Sequence, residues 1–185
     1  MKDVPGITIQ NIVATSSIAS RLDLIAVLKA LDEGATYKPE TFPGLVYHLK
    51  DPKTASLIFS SGKLVCTGAN SIPNVHRAIG MVLDRLVGAG FEVDEHPEIM
   101  VQNIVATSDL KRTLNLNRIV TALGVENVEY EPEQFPGLVY RVLDPKIVVL
   151  VFSSGKVVLT GGKTEENLFL GLEKMRKELG DDGLL

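Results

Sequence analysis

Gln10-Asn-Ile-Val-Ala-Thr-Ser16 recurs as Gln102-Asn-Ile-Val-Ala-Thr-Ser108, and this repetition decides the fold. Working outward, Phe42-Pro-Gly-Leu-Val-Tyr47 returns as Phe135-Pro-Gly-Leu-Val-Tyr140, Asp51-Pro-Lys53 as Asp144-Pro-Lys146, and Phe59-Ser-Ser-Gly-Lys63 as Phe152-Ser-Ser-Gly-Lys156. The blocks keep their order. The first is displaced by 102 − 10 = 92 and the second by 135 − 42 = 93, so one residue is inserted between Leu123 and Tyr130, where a loop is expected. A period of about ninety residues is too long for a solenoid unit and suits two similar halves of one pseudo-twofold body. The halves are read as 1–92 and 93–185. A ligand of approximate twofold symmetry is expected.

With 185 residues and 45% hydrophobic content, the chain can bury a sizeable core. The N-terminus has no apolar leader core, and no run approaches the roughly 18 apolar residues of a membrane span, so a place inside a cell and no membrane partner are expected. Cys66 is the one cysteine and lies in an apolar strand pattern. It reads as a small core residue, which discounts disulfide, redox and metal chemistry. A net charge of −4 and a pI near 5.4 argue against a generic nucleic-acid binder, usually basic overall.

Each half reads as strand, short helix, four-strand meander and long helix. In the first, residues 7–15 are β-branched and alternating, 22–31 carry apolar residues at helical spacing, and 36–38 form a short strand. Strands 45–50, 55–59 and 63–67 follow, separated by Asp51-Pro52 and Ser61-Gly62. Ile72, Val75, Ile79, Leu83 and Leu86 then put one apolar helical stripe against a sheet. The second half closes likewise with Leu168, Leu172, Met175 and Leu179, after Thr164-x-x-Asn167 and before Gly180, read as a C-cap. Residues 88–97 join the halves.

Strand parity locates the informative face, because successive side chains point to opposite sides of a sheet. Ile12, Ala14, Leu64 and Cys66 should meet the helices, leaving Asn11, Val13, Thr15, Lys63, Val65 and Thr67 on the other side. The second half places Asn103, Val105, Thr107, Lys156, Val158 and Thr160 there, with Leu57, Phe59, Leu150 and Phe152 from the neighbouring strands. A face so apolar and nearly chargeless expects a partner. Three partners fit: a second copy of the chain, a lipid or other small ligand, or a polymer surface.

Four of the six phenylalanines fall at equivalent positions, Phe42 with Phe135 and Phe59 with Phe152. Core filling explains any one of them. As a set at sheet ends they favour the polymer, since apolar side chains there can enter between base steps and kink a duplex. Asn11 and Asn103 would then donate to the acceptors of adenine and thymine in the minor groove, where a guanine amino group would clash.

The paired Gln-Asn-Ile-Val-Ala-Thr, Phe-Pro-Gly-Leu-Val-Tyr and Phe-Ser-Ser-Gly-Lys blocks, each with a Thr-Gly four residues beyond the lysine, resemble the TATA-binding protein family in its short archaeal form, over nearly the whole chain. The resemblance implies an α+β fold, a tandem-duplicated pseudo-twofold saddle whose curved ten-stranded antiparallel sheet meets DNA and carries helices on its convex face. It implies intercalating wedges at Phe42, Phe59, Phe135 and Phe152, and hydrogen bonding at Asn11, Asn103, Thr67 and Thr160. Groove-floor contacts would come from Val13, Leu57 and Val65, and from Val105, Leu150 and Val158. Phosphate contacts would come from Ser61, Lys63, Arg141, Ser154 and Lys156, with His48 standing where the second half has Arg141. Local cations beside an apolar strip answer the acidic pI, because charge near the phosphates matters more than the molecular sum. The implied partners are double-stranded TATA-box DNA, transcription factor B and, indirectly, RNA polymerase, in the nucleoid of a prokaryotic cell, with no cofactor. A homodimer through the apolar face in the absence of DNA is a further expectation.

His48, Thr41, Asn70 and Gly162 depart from the family pattern, which weakens the expected phosphate grip of the first half and at both strand ends. The turns differ as well: Lys38-Pro-Glu-Thr41 is mixed in charge and Glu131-Pro-Glu-Gln134 acidic. The resemblance makes the second the docking loop for factor B, through Glu131 and Glu133.

The rival class is an enzyme or ligand carrier. Ser-Ser-Gly-Lys resembles a phosphate loop, but that loop needs Gly-(x)4-Gly-Lys-Ser/Thr between strand and helix, and here a strand follows. His48, His76 and His96 are not repeated, and no triad or metal cluster emerges. The paired acids Asp32-Glu33 and Asp181-Asp182 read as solvated charges. The chain is not read as an enzyme.

Overall fold

The computed structural model describes residues 6–31 and 33–185; Asp32 of the Asp32-Glu33 pair lies outside the described residues. In the first repeat, β1 (Thr8–Ser17) leads to α1 (Leu24–Ala30), β2 (Ala35–Thr36), β3 (Leu45–Lys50), β4 (Lys53–Ile58), β5 (Lys63–Ala69) and α2 (Ile72–Gly88). The second repeats this as β6 (Ile99–Asp109), α3 (Leu116–Leu123), β7 (Val128–Glu129), β8 (Leu138–Val142), β9 (Ile147–Val151), β10 (Lys156–Gly162) and α4 (Glu165–Asp181). The chain separates into two compact units, Asn11–Gln102, and residues 6–10 with Asn103–Leu185. In the first unit the antiparallel strands lie in the order β2-β3-β4-β5-β1, and in the second β7-β8-β9-β10-β6.

The units are cut at other points than the sequence repeats, because the leading residues of β1 and β6 pack away from their own repeats. Within the first unit, Ser16 Oγ donates to Glu98 O at 2.7 Å and Gln102 Nε2 to Thr15 Oγ1 at 2.9 Å. Within the second, Ser108 Oγ donates to Gly6 O at 2.9 Å and Gln10 Nε2 to Thr107 Oγ1 at 3.0 Å. Thr15, expected on the open face, is buried under the Gln102 amide.

Every helix begins on a side-chain cap. Asp23, Ser71, Asn115 and Thr164 each accept from a backbone N–H two or three residues on, satisfying donors the helix leaves free. The stripe of α2 buries Val75, Ala78, Ile79, Val82, Leu83 and Leu86, but Ile72, at the first turn, is 39% exposed, outside the stripe. In α4 the expected C-cap Gly180 lies inside the helix; the chain leaves through Asp182 and Gly183, the latter at φ 64, with Leu184 N donating back to Leu179 O at 2.8 Å. The residue inserted in the second repeat is taken up where α3 ends, a helix of 8 residues against 7 in α1, closed by Gly124 at φ 73. Strand 55–59 starts earlier and ends sooner than its pattern implied, at Lys53–Ile58, which leaves Phe59 in the turn; the short strand is Ala35–Thr36 rather than 36–38.

One sheet face in each unit lies under its helices. Ile12, Leu45, Tyr47, Ile58 and Leu64 are buried on that face in the first, where α2 packs on β5, and Ile104, Leu138, Val149, Val157 and Leu159 in the second, where α4 packs on β8, β9 and β10. Fully burying one such side chain, for example Ile79 or its counterpart Leu172, stabilises the fold by about 1.5–3 kcal/mol. The equivalent tyrosines found different partners: Arg85 stacks over the Tyr47 ring at 5.3 Å, whereas the Tyr140 hydroxyl donates to Glu178. Burial, and then the nearby Asp182, hold the Glu178 carboxyl above its usual range.

Cys66 is completely buried in β5, and burial pushes its thiol up to about 11. Iodoacetamide at pH 8 is therefore expected to leave the native chain unlabelled and to alkylate it after unfolding. Rapid native labelling, followed by mass, would contradict this placement.

Candidate nucleic-acid interface

The second face of each sheet is open. In the first unit Asn11, Val13, Leu57, Phe59, Val65 and Thr67 are half-buried and Lys63 is exposed. In the second, Asn103, Val105, Leu150, Phe152, Val158 and Thr160 are half-buried and Lys156 is exposed. Alternation with the buried Leu64, Cys66, Val157 and Leu159 places these groups on the side away from the helices.

At the edge of each face stands an aromatic pair. Phe42 and Phe59 meet edge to face with ring centroids 5.8 Å apart, and Phe135 and Phe152 do the same at 5.8 Å. Phe42 is 36% and Phe135 38% exposed, so the pairs cap the sheets without being covered. Pro-Gly explains the packing. A Cβ on Gly44 would lie 2.7 Å from the Phe42 ring, and one on Gly137 2.7 Å from the Phe135 ring, so glycine lets the rings lie on the backbone.

Below the rings, the Ser-Ser-Gly-Lys turns close through Gly62 N to Phe59 O at 2.9 Å and Gly155 N to Phe152 O at 2.9 Å. A neighbouring segment clamps each turn: Ile18 N donates to Gly62 O at 2.8 Å and Leu22 N to Ser60 O at 2.9 Å, with Leu110 N to Gly155 O at 2.9 Å and Leu114 N to Ser153 O at 2.8 Å in the other unit. Ser61, Lys63, Ser154 and Lys156 are exposed on or beside these hydrogen-bonded turns. The clamps carry cations that sequence reading passed over. Arg21 lines a hollow with Ser60 and Ser61, and Lys111 and Arg112 line one of about 1250 Å³ with Phe152, Ser154 and Lys156. Lys111, at φ 57, sits in a conformation rare for a side-chain-bearing residue, and Asp109 holds it by accepting from its N at 2.8 Å and its Nζ at 3.2 Å. These bonds from Lys111 also keep the Asp109 carboxyl below its usual range.

His48 and Arg141 are both exposed on the middle of their strands; Arg141 pairs with Glu129 at 3.2 Å, an acid replaced by Thr36 in the first repeat. Glu131 and Glu133 are exposed in a turn closed by Gln134 N and Phe135 N to Glu131 O, both 2.9 Å. Lys38 O receives the equivalent pair at 3.0 Å each, so the two turns share a backbone and differ in charge. Among the described residues no group of His, Cys, Asp or Glu could hold a metal ion, and no helix is long and apolar enough to cross a membrane.

Among the described residues, a duplicated α+β fold of ten antiparallel strands and four helices offers apolar strand faces edged by aromatics, hydroxyls and ammonium groups, the class of surface that suits a nucleic acid. Residues 6–88 and 98–181 match the family model described as "Transcription factor TFIID (or TATA-binding protein, TBP)", and the chain belongs to this family. It is 55% identical to the TATA-box-binding protein of Thermoplasma volcanium, covering 100% of both chains. It is 56% identical to TATA-box-binding protein 3 of Methanosarcina acetivorans, covering 97% of each. The solved structure of Methanococcus jannaschii TBP matches with a TM-score of 0.88 at 50% identity, covering 96% of this chain and 99% of that one. Family membership makes the chain a DNA-binding factor of transcription initiation and not an enzyme.

Proposed function

We propose that the chain binds the minor groove of the TATA box, kinks it with its Phe pairs, and nucleates the initiation complex by recruiting transcription factor B and, through it, RNA polymerase. One observation carries this reading: in both units an exposed edge-to-face Phe pair borders an apolar face whose central polar groups are an Asn and a Thr. Minor-groove proteins, TATA-binding proteins among them, insert apolar wedges between base steps and gain a bent duplex that covers more protein surface. Phe42 with Phe59, and Phe135 with Phe152, would enter at two steps. Val13, Leu57 and Val65, with Val105, Leu150 and Val158, would lie along the floor, where the guanine amino group has no room. Ser61, Lys63, His48, Arg141, Ser154 and Lys156 would hold the phosphates and make binding depend on salt.

The test is fluorescence anisotropy with a TATA duplex against the same duplex carrying G·C in place of the box, across salt. Selective, salt-dependent TATA binding is expected; equal binding to both would return the open face to a small ligand or a second copy. Without DNA, the apolar faces would be covered by self-association. A monomer in sedimentation at micromolar concentration would end that part of the proposal.

Glu131 and Glu133 give the second repeat an acidic turn where the first has Lys38 and Thr41, and a basic partner could tell the ends apart by it. Glu131→Lys with Glu133→Lys is expected to weaken recruitment of factor B to a preformed DNA complex about tenfold or more, without changing DNA binding. Unchanged recruitment in a gel-shift assay would place factor B elsewhere.

A further inference from the structure

Two β-bulges aim backbone N–H groups at the central asparagines. β1 pairs with β5 through Ile12 opposite Ala69 and Ala14 opposite Cys66, so Thr67 and Gly68 together face Val13. β10 pairs with β6 through Leu159 opposite Ala106 and Gly162 opposite Ile104, so Thr160 and Gly161 together face Val105. Both glycines sit at φ 96, which side-chain-bearing residues rarely adopt. The bulge directs each glycine N–H to a side chain: Gly68 N donates to Asn11 Oδ1 at 2.6 Å and Gly161 N to Asn103 Oδ1 at 2.8 Å. The threonine hydroxyls lie beside the amides, with Asn11 Nδ2 3.3 Å from Thr67 Oγ1 and Asn103 Nδ2 3.0 Å from Thr160 Oγ1.

We infer that Gly68 and Gly161 are specificity-positioning residues, whose N–H groups lock the Asn11 and Asn103 amides with the oxygen held inward and an N–H left to donate to the DNA. The inference rests on the minor-groove reading above and adds a reason for its selectivity. An unlocked asparagine is ambivalent: rotating the amide by half a turn offers the oxygen, which accepts from the guanine amino group as readily as the nitrogen donates to adenine N3 or thymine O2. In this chain that rotation would drive the amide nitrogen against a glycine N–H at the distance now occupied by the oxygen, donor facing donor. The site therefore rejects G·C by hydrogen-bond polarity as well as by crowding. The same lock in both repeats, built from the duplicated Thr-Gly, gives each open face the donor character that A·T and T·A pairs accept equally.

Replacing Gly68 and Gly161 by glycolic acid through nonsense suppression exchanges each N–H for an ester oxygen without adding a Cβ. Affinities are then compared for duplexes with A·T, inosine·C and G·C at the central base pairs, inosine being guanine without its 2-amino group. The ester chain is expected to lose about tenfold or more of the A·T over G·C preference, the scale of one good base contact, while A·T and inosine·C remain equivalent. An ester chain that folds and keeps the full preference would overturn the lock, because crowding alone then accounts for selectivity. Absence of A·T preference in the unmodified chain would instead defeat the minor-groove reading. Should the ester chain not fold, the unmodified protein decides: a through-hydrogen-bond NMR coupling between the Gly161 amide nitrogen and the Asn103 side-chain carbonyl carbon is expected, and its absence overturns the proposal.

Discussion

Phe59→Ala together with Phe152→Ala is expected to weaken binding to a TATA duplex by about two to three orders of magnitude and to abolish most of the bend. Each ring is half-buried, so the side chain is held by the protein on one side and free to meet bases on the other. Removing it takes away the wedge and leaves Phe42 or Phe135 without its edge-to-face neighbour, a contact worth about 0.5–1.5 kcal/mol. A loss of about 1.4–2 kcal/mol per site corresponds to ten- to thirtyfold, compounded over two sites. The check is anisotropy alongside energy transfer between the ends of a labelled duplex. Leu143→Ala serves as the control, since Leu143 is 70% exposed in the β8–β9 turn and apart from the aromatic pairs. A doubly substituted chain that still bent the duplex fully would remove the phenylalanines from the mechanism.

Gly155→Ala is expected to lower stability by about 3–4 kcal/mol, and Gly62→Ala by a similar amount. Gly155 has φ 86, and a Cβ there would lie 2.0 Å from Arg112 O; at Gly62, φ 80, it would lie 1.8 Å from Ala19 O. Those atoms are backbone of the clamping segments, which can yield only by giving up the bonds that tie Leu110 and Leu114, or Ile18 and Leu22, to the turn. Left-handed strain of about 1–2 kcal/mol adds to the lost hydrogen bonds at about 1 kcal/mol each. In a domain of this size that lowers Tm by about 10 °C, readable by calorimetry. Gly80→Ala makes the opposite case: it lies within α2, nothing stands within 4 Å of its would-be Cβ, and a gain of up to about 1 kcal/mol is expected. A Gly155→Ala chain as stable as the parent would mean the clamp is not rigid.

The repeat, the helix stripes and the strand parity were legible in the residues alone because each depends on local periodicity. Val13, Val65, Val105 and Val158 could be placed on the open face by counting in twos, and Thr164 could be named a cap because its bond to Asn167 N spans three residues. Where the sequence reading slipped, a tertiary demand had overridden a local signal. Gly180 looked like a helix end, but Leu179 still packs in the core and carries the helix past it, so the left-handed turn falls at Gly183. Thr15 has the parity of the open face and is buried because Gln102, distant in sequence, covers it. The exchange of leading residues between the two compact units was likewise invisible, since matching blocks such as Gln10–Ser16 and Gln102–Ser108 do not say which copy of a segment packs with which. By itself the sequence determined the duplication, the order of elements and which side chains share a face, all set by covalent spacing. Only the tertiary structure decided the bulges at Thr67-Gly68 and Thr160-Gly161, and with them the direction in which two asparagine amides present their protons. A bulge is a mismatch between two paired strands, and neither strand encodes it alone.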